Sequence, residues 1–317
     1  MIVGRSEIVG IRPDLAEAWD AVADSFPVHV TRSFWSRIVG SDPADPLARQ
    51  VLPDPAELVP DPGDMDDPVG DVARSPVPWV VQKHPDRVLL LLTKRCHVYC
   101  RYCFRRTHDP EDGEDPSPEA WARALDYATS CGAREAILSG GDPLAVRDAR
   151  LLDTIDRLRA GGIKRIRIHT RAPIVLPDRI TDGLVEALAR RAPVWVVVHC
   201  NHPRELSPEV DAALARLVDA GIPVMNQAVL LAGVNDDPAV LAELCEGMID
   251  RRVKPYYLHH TDPVTGNASF RVSIERGLQI VAELKTRVSG IAMPRYIIDP
   301  PDGSGKIDVS EFARTRS

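Results

Sequence analysis

From Arg87 onward, short apolar runs alternate with longer amphipathic stretches, and this alternation constrains the fold more than any other feature of the sequence. Most of the runs are rich in Val and Ile and apolar on both faces, which is typical of buried parallel strands. We predict strands at Val88–Thr93, Glu135–Ser139, Arg165–His169, Val194–His199, Val224–Leu230, Pro255–His259 and Tyr296–Ile298. We predict helices at roughly 117–131, 147–160, 178–191, 208–220, 236–250 and 271–288.

Strand–helix repeats at this spacing predict right-handed βαβ units and therefore an α/β fold with a parallel sheet. Six or seven such units would form a barrel or a partial barrel. Gly161, Gly162 and Gly221 follow predicted helices as C-cap candidates, and Asp178 and Ser207 precede helices as N-cap candidates. In such folds the active site lies at the carboxyl ends of the strands, so we expect the functional residues there.

Residues 1–85 differ in composition, because they contain 12 of the 28 prolines. Proline lacks a backbone N–H and fixes φ, so we expect neither a long helix nor an interior strand there. Amphipathic spacing predicts two ordered segments, at 14–26 and 34–38. We therefore expect a helical cap and an irregular, proline-rich arm, followed by a main domain over residues 86–317. The alternative is a disordered leader over residues 1–75.

Charge and hydropathy exclude several classes of protein. The net charge is −7, whereas a general nucleic-acid binder needs a basic surface. Because no apolar run approaches the roughly 18 residues that cross a bilayer, we expect no membrane association. The N-terminus has no apolar stretch before a small-residue cleavage site, so we expect no signal peptide. These features favour a cytoplasmic globular protein.

Three of the six cysteines lie close together, directly after the first strong strand. Cys96, Cys100 and Cys103 have the spacing C-x₃-C-x₂-C, and clustered thiolates of this kind bind soft metals or iron–sulfur clusters. They can hold one [4Fe–4S] cluster and leave its fourth iron open to a cofactor or substrate. The alternative is a closed zinc site with His97 or His108 as the fourth ligand. We expect the isolated cysteines to be small buried apolar residues: Cys131, Cys200 and Cys245.

The cysteine segment and five further motifs resemble the lysine 2,3-aminomutase family of radical S-adenosylmethionine (SAM) enzymes. C-x₃-C-x₂-C after the first barrel strand, with an aromatic residue at Tyr102, is similar to the radical SAM signature. The family motifs occur in order as HPDRVLLLLTKRCHVYCRYCFRR, SGGDPL, HTRAPIVLPDRIT, NHPREL, MNQAVLLAGVND and DPPDGSGKIDV. Together they span residues 84–309. The resemblance implies a partial (β/α)6-type barrel and a radical-driven isomerase.

The resemblance also implies how the cluster and SAM are bound. The implied cluster ligands are Cys96, Cys100 and Cys103. Gly140, Gly141 and Asp142 look like the SAM-binding turn of the family. Their glycines would let the backbone approach the methionine moiety, and the carboxylate would accept a hydrogen bond from its ammonium. The family positions around the adenosine are matched by Tyr102, His199 and Gln227.

Pyridoxal 5′-phosphate (PLP) is the second cofactor that the resemblance implies. The run Asp302-Gly-Ser-Gly-Lys306 resembles the family's glycine-rich segment, which ends in the lysine that holds PLP. Glycines beside that lysine would give it the freedom to exchange its covalent partner. Arg87 matches the arginine that contacts the PLP phosphate, and a guanidinium suits a phosphate. The motif is not a Walker loop, because GxxxxGK[ST] is absent.

Three further matches concern the substrate. Arg105 matches the residue that pairs with the α-carboxylate, and Asp262 and Asp299 match the pair that holds the distal ammonium of lysine. Because buried charges need partners, two carboxylates at one place call for a cation. The favoured reaction is therefore a shift of the α-amino group of L-lysine to the β-carbon. The same shift on L-arginine or another cationic amino acid is the alternative, because guanidinium binds carboxylates bidentately.

Some features depart from the family pattern. Ser269 stands where members often have histidine, and no metal-binding extension follows Lys306 in this sequence. We rank lower the short family variant that serves modification of a translation factor, and lower still a non-catalytic iron–sulfur or zinc scaffold. An electron donor such as flavodoxin or ferredoxin is implied. The oligomeric state, including a homo-oligomer, is left open.

Overall fold

A computed structural model describes residues 2–23, 25–40, 42–107, 110–111 and 113–316. The strands are β1 (Ile2–Val3), β2 (Val30–Thr31), β3 (Val80–His84), β4 (Arg87–Leu91), β5 (Glu135–Ser139), β6 (Arg165–Thr170), β7 (Val194–His199), β8 (Val224–Val229), β9 (Lys254–His259), β10 (Arg295–Ile298) and β11 (Ile307–Asp308). The helices are α1 (Arg5–Ile11), α2 (Leu15–Ala23), α3 (Arg32–Trp35), α4 (Pro46–Arg49), α5 (Pro118–Ser130), α6 (Asp148–Ala160), α7 (Ala172–Val175), α8 (Asp182–Ala189), α9 (Pro208–Asp219), α10 (Pro238–Asp250), α11 (Ile274–Arg287) and α12 (Val309–Arg316). Within the part of the chain so described, no helix is both long enough and apolar enough to span a bilayer.

One large sheet organises the molecule. Its nine strands run in the order β11-β10-β9-β8-β7-β6-β5-β4-β3. Every neighbouring pair from β4 to β10 is parallel, and the two edge strands β3 and β11 are antiparallel to their neighbours. The edge strands do not pair with each other, so the sheet forms a partial, unclosed barrel. The predicted α/β fold class is confirmed.

The seven parallel strands all lie close to their predicted positions, because their apolar runs are buried. In β7 the residues Val194, Val196, Val197 and Val198 are each at most 2% exposed. The first prediction, Val88–Thr93, differs from β4 by a residue or two at each end. Strand β3 was not predicted, since residues 80–84 lie in a segment that was expected to be irregular. Strand β3 lies at the edge of the sheet and pairs only with β4, so it can form with only two buried apolar residues.

Helix caps fix where the crossover helices begin and end. Ser207 caps α9 as predicted, and its hydroxyl accepts a hydrogen bond from the backbone N–H of Val210. The prediction that Asp178 caps a helix is wrong, because Asp178 lies in a short 3₁₀ turn and Thr181 caps α8. Gly161 is the C-cap of α6, and Gly221 follows α9 with a φ of 76°.

The described residues before β3 form the small β1–β2 sheet, helices α1–α4 and an extended segment over residues 54–75, here called the arm. The arm crosses the carboxyl ends of the strands. Met65 forms a β-bridge with Val264, and the Arg74 guanidinium donates to the backbone carbonyl of Asp302 (2.8 Å). The arm therefore contacts the loops that follow β9 and β10.

Candidate active site

Two adjoining cavities lie inside the partial barrel, the first at the carboxyl ends of the parallel strands and the second reaching from there to the starts of β4, β5 and β6. The cysteine cavity, of about 220 Å³, contains the three clustered cysteines and the Gly140–Asp142 turn. The lysine cavity, of about 610 Å³, contains Lys306, Arg87 and Asp299. The residues that line both are Phe104, Arg105, Ser139, His169, Gln227 and His259. The shared wall means that groups bound in the two cavities would meet.

The cysteine loop follows β4 and is anchored from the N-terminal region. The backbone N–H of Arg101 donates to the carbonyl of Gln50 (2.9 Å). Its side chain, 1% exposed, forms a bidentate ion pair with Glu57 in the arm (2.9 and 2.7 Å). A buried arginine is stable only when it is paired in this way. The N-terminal region therefore holds the loop that carries the cysteines.

The three clustered thiols face the same cavity, and the six cysteines are free of disulfides. Burial, together with the nearby Cys100, raises the pKa of Cys103 to about 11, and burial raises the pKa of Cys96. Thiolates at these sites therefore need a cation, which an iron–sulfur cluster supplies. Across the described chain, no three His, Cys, Asp or Glu side chains are arranged as a ready metal site. His108 lies outside the described residues.

The Gly140–Asp142 turn packs against the backbone of the cysteine loop. Gly140 has a φ of 120°, and a Cβ there would collide with the carbonyl oxygen of Thr93. A Cβ at Gly141 would collide with the carbonyl of Arg95, and the Gly141 N–H donates to the carbonyl of Thr93 (2.6 Å). The sequence predicted glycines for close approach to a cofactor. The close approach that the structure shows is to the cysteine loop itself.

The Asp142 carboxylate already accepts hydrogen bonds within the protein. Its Oδ1 accepts from the N–H of Leu144 (2.8 Å) and the hydroxyl of Thr170 (2.7 Å). Its Oδ2 accepts from the N–H of Arg171 (2.9 Å), and the residue is 4% exposed. Asp142 therefore joins the turn to the end of β6, and its two oxygens have partners within the protein.

Tyr102, His199 and Gln227 line the cysteine cavity together. The Tyr102 hydroxyl accepts from the Asn201 amide (2.7 Å), and the ring centroids of Tyr102 and His199 lie 5.8 Å apart. His199 and Gln227 are register partners on β7 and β8. Burial lowers the pKa of His199 to about 4, and its buried Nε2 has no partner among the described residues. A neutral imidazole therefore offers one unused hydrogen-bonding atom to a ligand.

Lys306 lies in the lysine cavity on the loop between β10 and β11. Its amine donates to Oδ2 of Asp299 (2.7 Å), and Lys83 lies 3.5 Å from the same oxygen. Gly305 before it has a φ of 77°, and a Cβ there would lie 2.5 Å from the His84 ring. The turn is capped by Asp302, whose Oδ1 accepts from the N–H of Ser304 (2.8 Å). Asp299 is therefore free of a capping role and faces cations.

Asp262 follows β9 and lies at the wall of the cysteine cavity. No hydrogen bond or ion pair to its carboxylate is found among the described residues. Burial raises its pKa to about 7, and the nearby Asp299 carboxylate adds to the rise although Lys306 opposes it. An additional cation beside Asp262 would relieve this cost.

Arg105 bridges the two cavities and is paired with Asp71 of the arm. The Arg105 Nε and Nη2 lie 3.0 and 2.9 Å from Oδ2 of Asp71, and Nη1 donates to the Ser139 hydroxyl (3.3 Å). Lys83 also pairs with Asp71 (3.1 Å). Burial alone would raise the pKa of Asp71, but the two cations outweigh it and lower the pKa to about 2. Sequence reasoning missed Asp71 and Lys83, because no local pattern marks them.

The far end of the lysine cavity is strongly basic. Arg87 lines it and pairs with the neighbouring Asp86 (2.9 Å). Arg165 and Arg167 of β6 line it too, and both pair with Glu135 at the start of β5. The sequence reasoning named Arg87 alone. The inward alternation of basic residues in β6 is the signal that would have found the others.

Comparisons with known proteins agree with this geometry. The profile of the radical SAM superfamily matches residues 90–245. The L-lysine 2,3-aminomutase of Methanococcus maripaludis is 40% identical over 90% of this chain and 67% of its own length. The L-lysine 2,3-aminomutase of Escherichia coli is 43% identical over 85% and 79%. The crystal structure of Streptococcus suis SuiB bound to S-adenosylmethionine has a TM-score of 0.50, with 17% identity over 68% of this chain and 51% of that one. This likeness concerns the fold alone.

Proposed function

Because the chain belongs to the lysine 2,3-aminomutase family of radical SAM enzymes, we propose that it moves the α-amino group of L-lysine to the β-carbon, giving L-β-lysine. Family membership makes it an isomerase that uses a [4Fe–4S] cluster, SAM and PLP. The observation that carries the choice of substrate is the pair Asp262 and Asp299, two carboxylates that influence each other beside the PLP lysine candidate.

The cofactor sites are proposed residue by residue. Cys96, Cys100 and Cys103 would hold the cluster, and Lys306 would hold PLP with Arg87 toward its phosphate. When bound, the cluster with SAM supplies a 5′-deoxyadenosyl radical, and PLP supplies a carrier for the migrating amine. The residues fit these groups in their chemistry: soft thiols in one cavity, and an amine with a basic wall in the other.

The remaining residues position the substrate. Arg105 lies on the wall between the cavities, where its guanidinium would pair with the α-carboxylate. Asp262 and Asp299 would pair with the distal ammonium. Anchoring the two ends would hold the β-carbon where the cavities meet, and a radical abstraction depends on such positioning. The arm would help to exclude water, since it covers the carboxyl ends of the strands.

A substrate other than lysine is the second candidate. Two carboxylates also suit a guanidinium, so L-arginine is the specific competitor.

We further propose a reducing, cytoplasmic compartment, because the clustered cysteines are free thiols. The electron would come from an external low-potential carrier of the flavodoxin or ferredoxin type.

The test is an anaerobic assay of the reconstituted enzyme with lysine, arginine, ornithine and glutamate, each supplied separately. Mass spectrometry with derivatisation distinguishes α- from β-amino products. We expect β-lysine as the main product and no turnover of glutamate, which lacks a distal cation. If arginine is turned over faster than lysine, arginine is the preferred substrate and the choice of lysine is wrong. No turnover of any cationic amino acid by protein that contains full cluster and PLP would refute the proposal.

A further inference from the structure

Arg171, at the end of β6, contacts one of the clustered cysteines directly. Its Nη1 donates a hydrogen bond to the Sγ of Cys100 (2.8 Å). Arg171 is 7% exposed and lines the cysteine cavity. Its Nε is buried and has no partner among the described residues, so one further donor lies unused beside the thiol. Neither the sequence motifs nor the proposed function gives this side chain a role.

The guanidinium is fixed in place by a buried polar network. Its Nη2 donates to Oε2 of Glu205 (2.8 Å) and to Oε1 of Gln50 (2.7 Å). Glu205 is fully buried, and its Oε1 accepts from two backbone N–H groups of its own loop (2.9 and 3.1 Å). The Arg171 N–H donates to Asp142, as described above. With both its backbone and its side chain held, the charge cannot move away from Cys100.

We propose that Arg171 sets the reduction potential of the cluster by holding a permanent positive charge and a hydrogen bond on the Cys100 sulfur. Reduction adds one electron to a group that already carries thiolate charge. A nearby cation stabilises the more negative, reduced form and so raises the potential. Hydrogen bonds to the sulfurs and local charge are among the means by which proteins tune such clusters, and the low dielectric of a buried site strengthens both.

Glu205 has the opposite effect in this scheme. Its carboxylate accepts from Nη2 of the guanidinium, whereas Cys100 accepts from Nη1, and it offsets part of the positive charge. Neutralising Glu205 would therefore raise the potential, whereas neutralising Arg171 would lower it. A merely structural role for the pair predicts no such opposition, because either change would loosen the same loop in the same way.

The experiment is a mediator titration of anaerobically reconstituted protein without SAM or substrate, with the reduced cluster measured by electron paramagnetic resonance. The variants are Arg171→Gln, Arg171→Lys and Glu205→Gln. Arg251→Gln is the matched control, because Arg251 pairs with Asp211 of α9 and lines neither cavity. Iron and sulfide are quantified first in every sample.

We expect Arg171→Gln to lower the reduced-to-oxidised ratio at a fixed potential at least tenfold, which equals a shift of about 59 mV for a one-electron couple. Arg171→Lys keeps the positive charge but loses the two terminal nitrogens that bond Cys100 and Glu205 together. We therefore expect it to shift the reduction potential less than Arg171→Gln does. Glu205→Gln is expected to shift the ratio the other way, and Arg251→Gln to leave it unchanged. Unchanged ratios in Arg171→Gln and Glu205→Gln, or shifts of the same sign in both, would overturn the proposal.

Arg171→Gln leaves Glu205 buried without its partner and is the variant most at risk of not folding. The double variant Arg171→Gln/Glu205→Gln keeps the network neutral, and its ratio is compared with that of Glu205→Gln alone. The inference rests on the cluster of the proposed function but not on its substrate. Failure of the substrate assay with a normal pattern of potentials would refute lysine and leave this inference intact.

Discussion

Replacing Asp262 by asparagine tests whether this carboxylate pairs with the distal ammonium of the substrate. In the ligand-free protein the pKa of Asp262 is raised from 3.8 to about 7. A rise of about three pKa units corresponds to about 4 kcal/mol of cost for the ionised carboxylate. A substrate ammonium beside it would recover energy of that order. We therefore expect Asp262→Asn to lower kcat/KM for the cationic substrate by about 10²–10³-fold.

The raised pKa of Asp262 also predicts how stability and turnover depend on pH. Because the pKa in the folded protein lies above its unfolded value, the ligand-free fold loses stability as pH rises from about 4 to about 7. Asp262→Asn removes that loss and is expected to raise the thermal midpoint of ligand-free protein at pH 8, with little change at pH 4. In the wild type, kcat/KM is expected to rise with pH through about 7 as Asp262 ionises. In Asp262→Asn, kcat/KM should not show this rise with pH.

The control is Asp126→Asn, which removes an exposed carboxylate on α5. Iron, sulfide and PLP contents are measured for each variant, so that a loss of cofactor is not mistaken for a loss of binding. Asp299→Asn should behave like Asp262→Asn in turnover. Near-native kcat/KM on both lysine and arginine for Asp262→Asn and Asp299→Asn, with full cofactors, would refute the reasoning.

Three further predictions concern the cofactor sites. Replacing Cys96, Cys100 and Cys103 together by alanine should abolish the cluster in iron and sulfide analysis, and four irons per chain in that variant would contradict the assignment. Borohydride reduction followed by peptide mapping should place the pyridoxyl group on Lys306, and a label on another lysine would count against it. Gly141→Ala should displace the cysteine loop, because its Cβ collides with backbone, and should reduce the iron retained after reconstitution at least severalfold. Unchanged iron content in Gly141→Ala would contradict the prediction that close packing of this turn against the cysteine loop is needed to hold the cluster.

The sequence predicted the sheet well because its signal is local. Most of the parallel strands are short apolar runs, such as β7 with its four buried valines, and a run of this length between amphipathic stretches favours a strand. Edge strand β3 was missed because it lies in the proline-rich region that was expected to be irregular, and because its apolar run ends at Val81. The N-cap at Asp178 failed for a related reason, since an intervening 3₁₀ turn delays the helix to Thr181.

The site was predictable where residues stand in motifs and unpredictable where they meet only in space. Local spacing marked the cysteines, and the resemblance to the family marked the Gly140–Asp142 turn and Lys306. Asp71 pairs with Arg105 across 34 positions, and Arg171 meets Cys100 across 71. No periodicity encodes such a contact. At the recognised Gly140–Asp142 turn, the hydrogen bonds that Asp142 accepts from Thr170 and Arg171 were likewise not predicted.

The arm has a consequence for how the chain reaches its native state. Its contacts with the far end of the sequence span 207 to 228 positions, from Asp64 and Asp61 to Arg271 and from Arg74 to Asp302. These partners follow β9 and β10 in the sequence, so the arm completes its contacts with them only after most strands of the sheet have been synthesised. The part of the arm that rests on Arg271 and Asp302 is therefore completed late, whereas Asp71 can meet Arg105 earlier, because only 34 positions separate them.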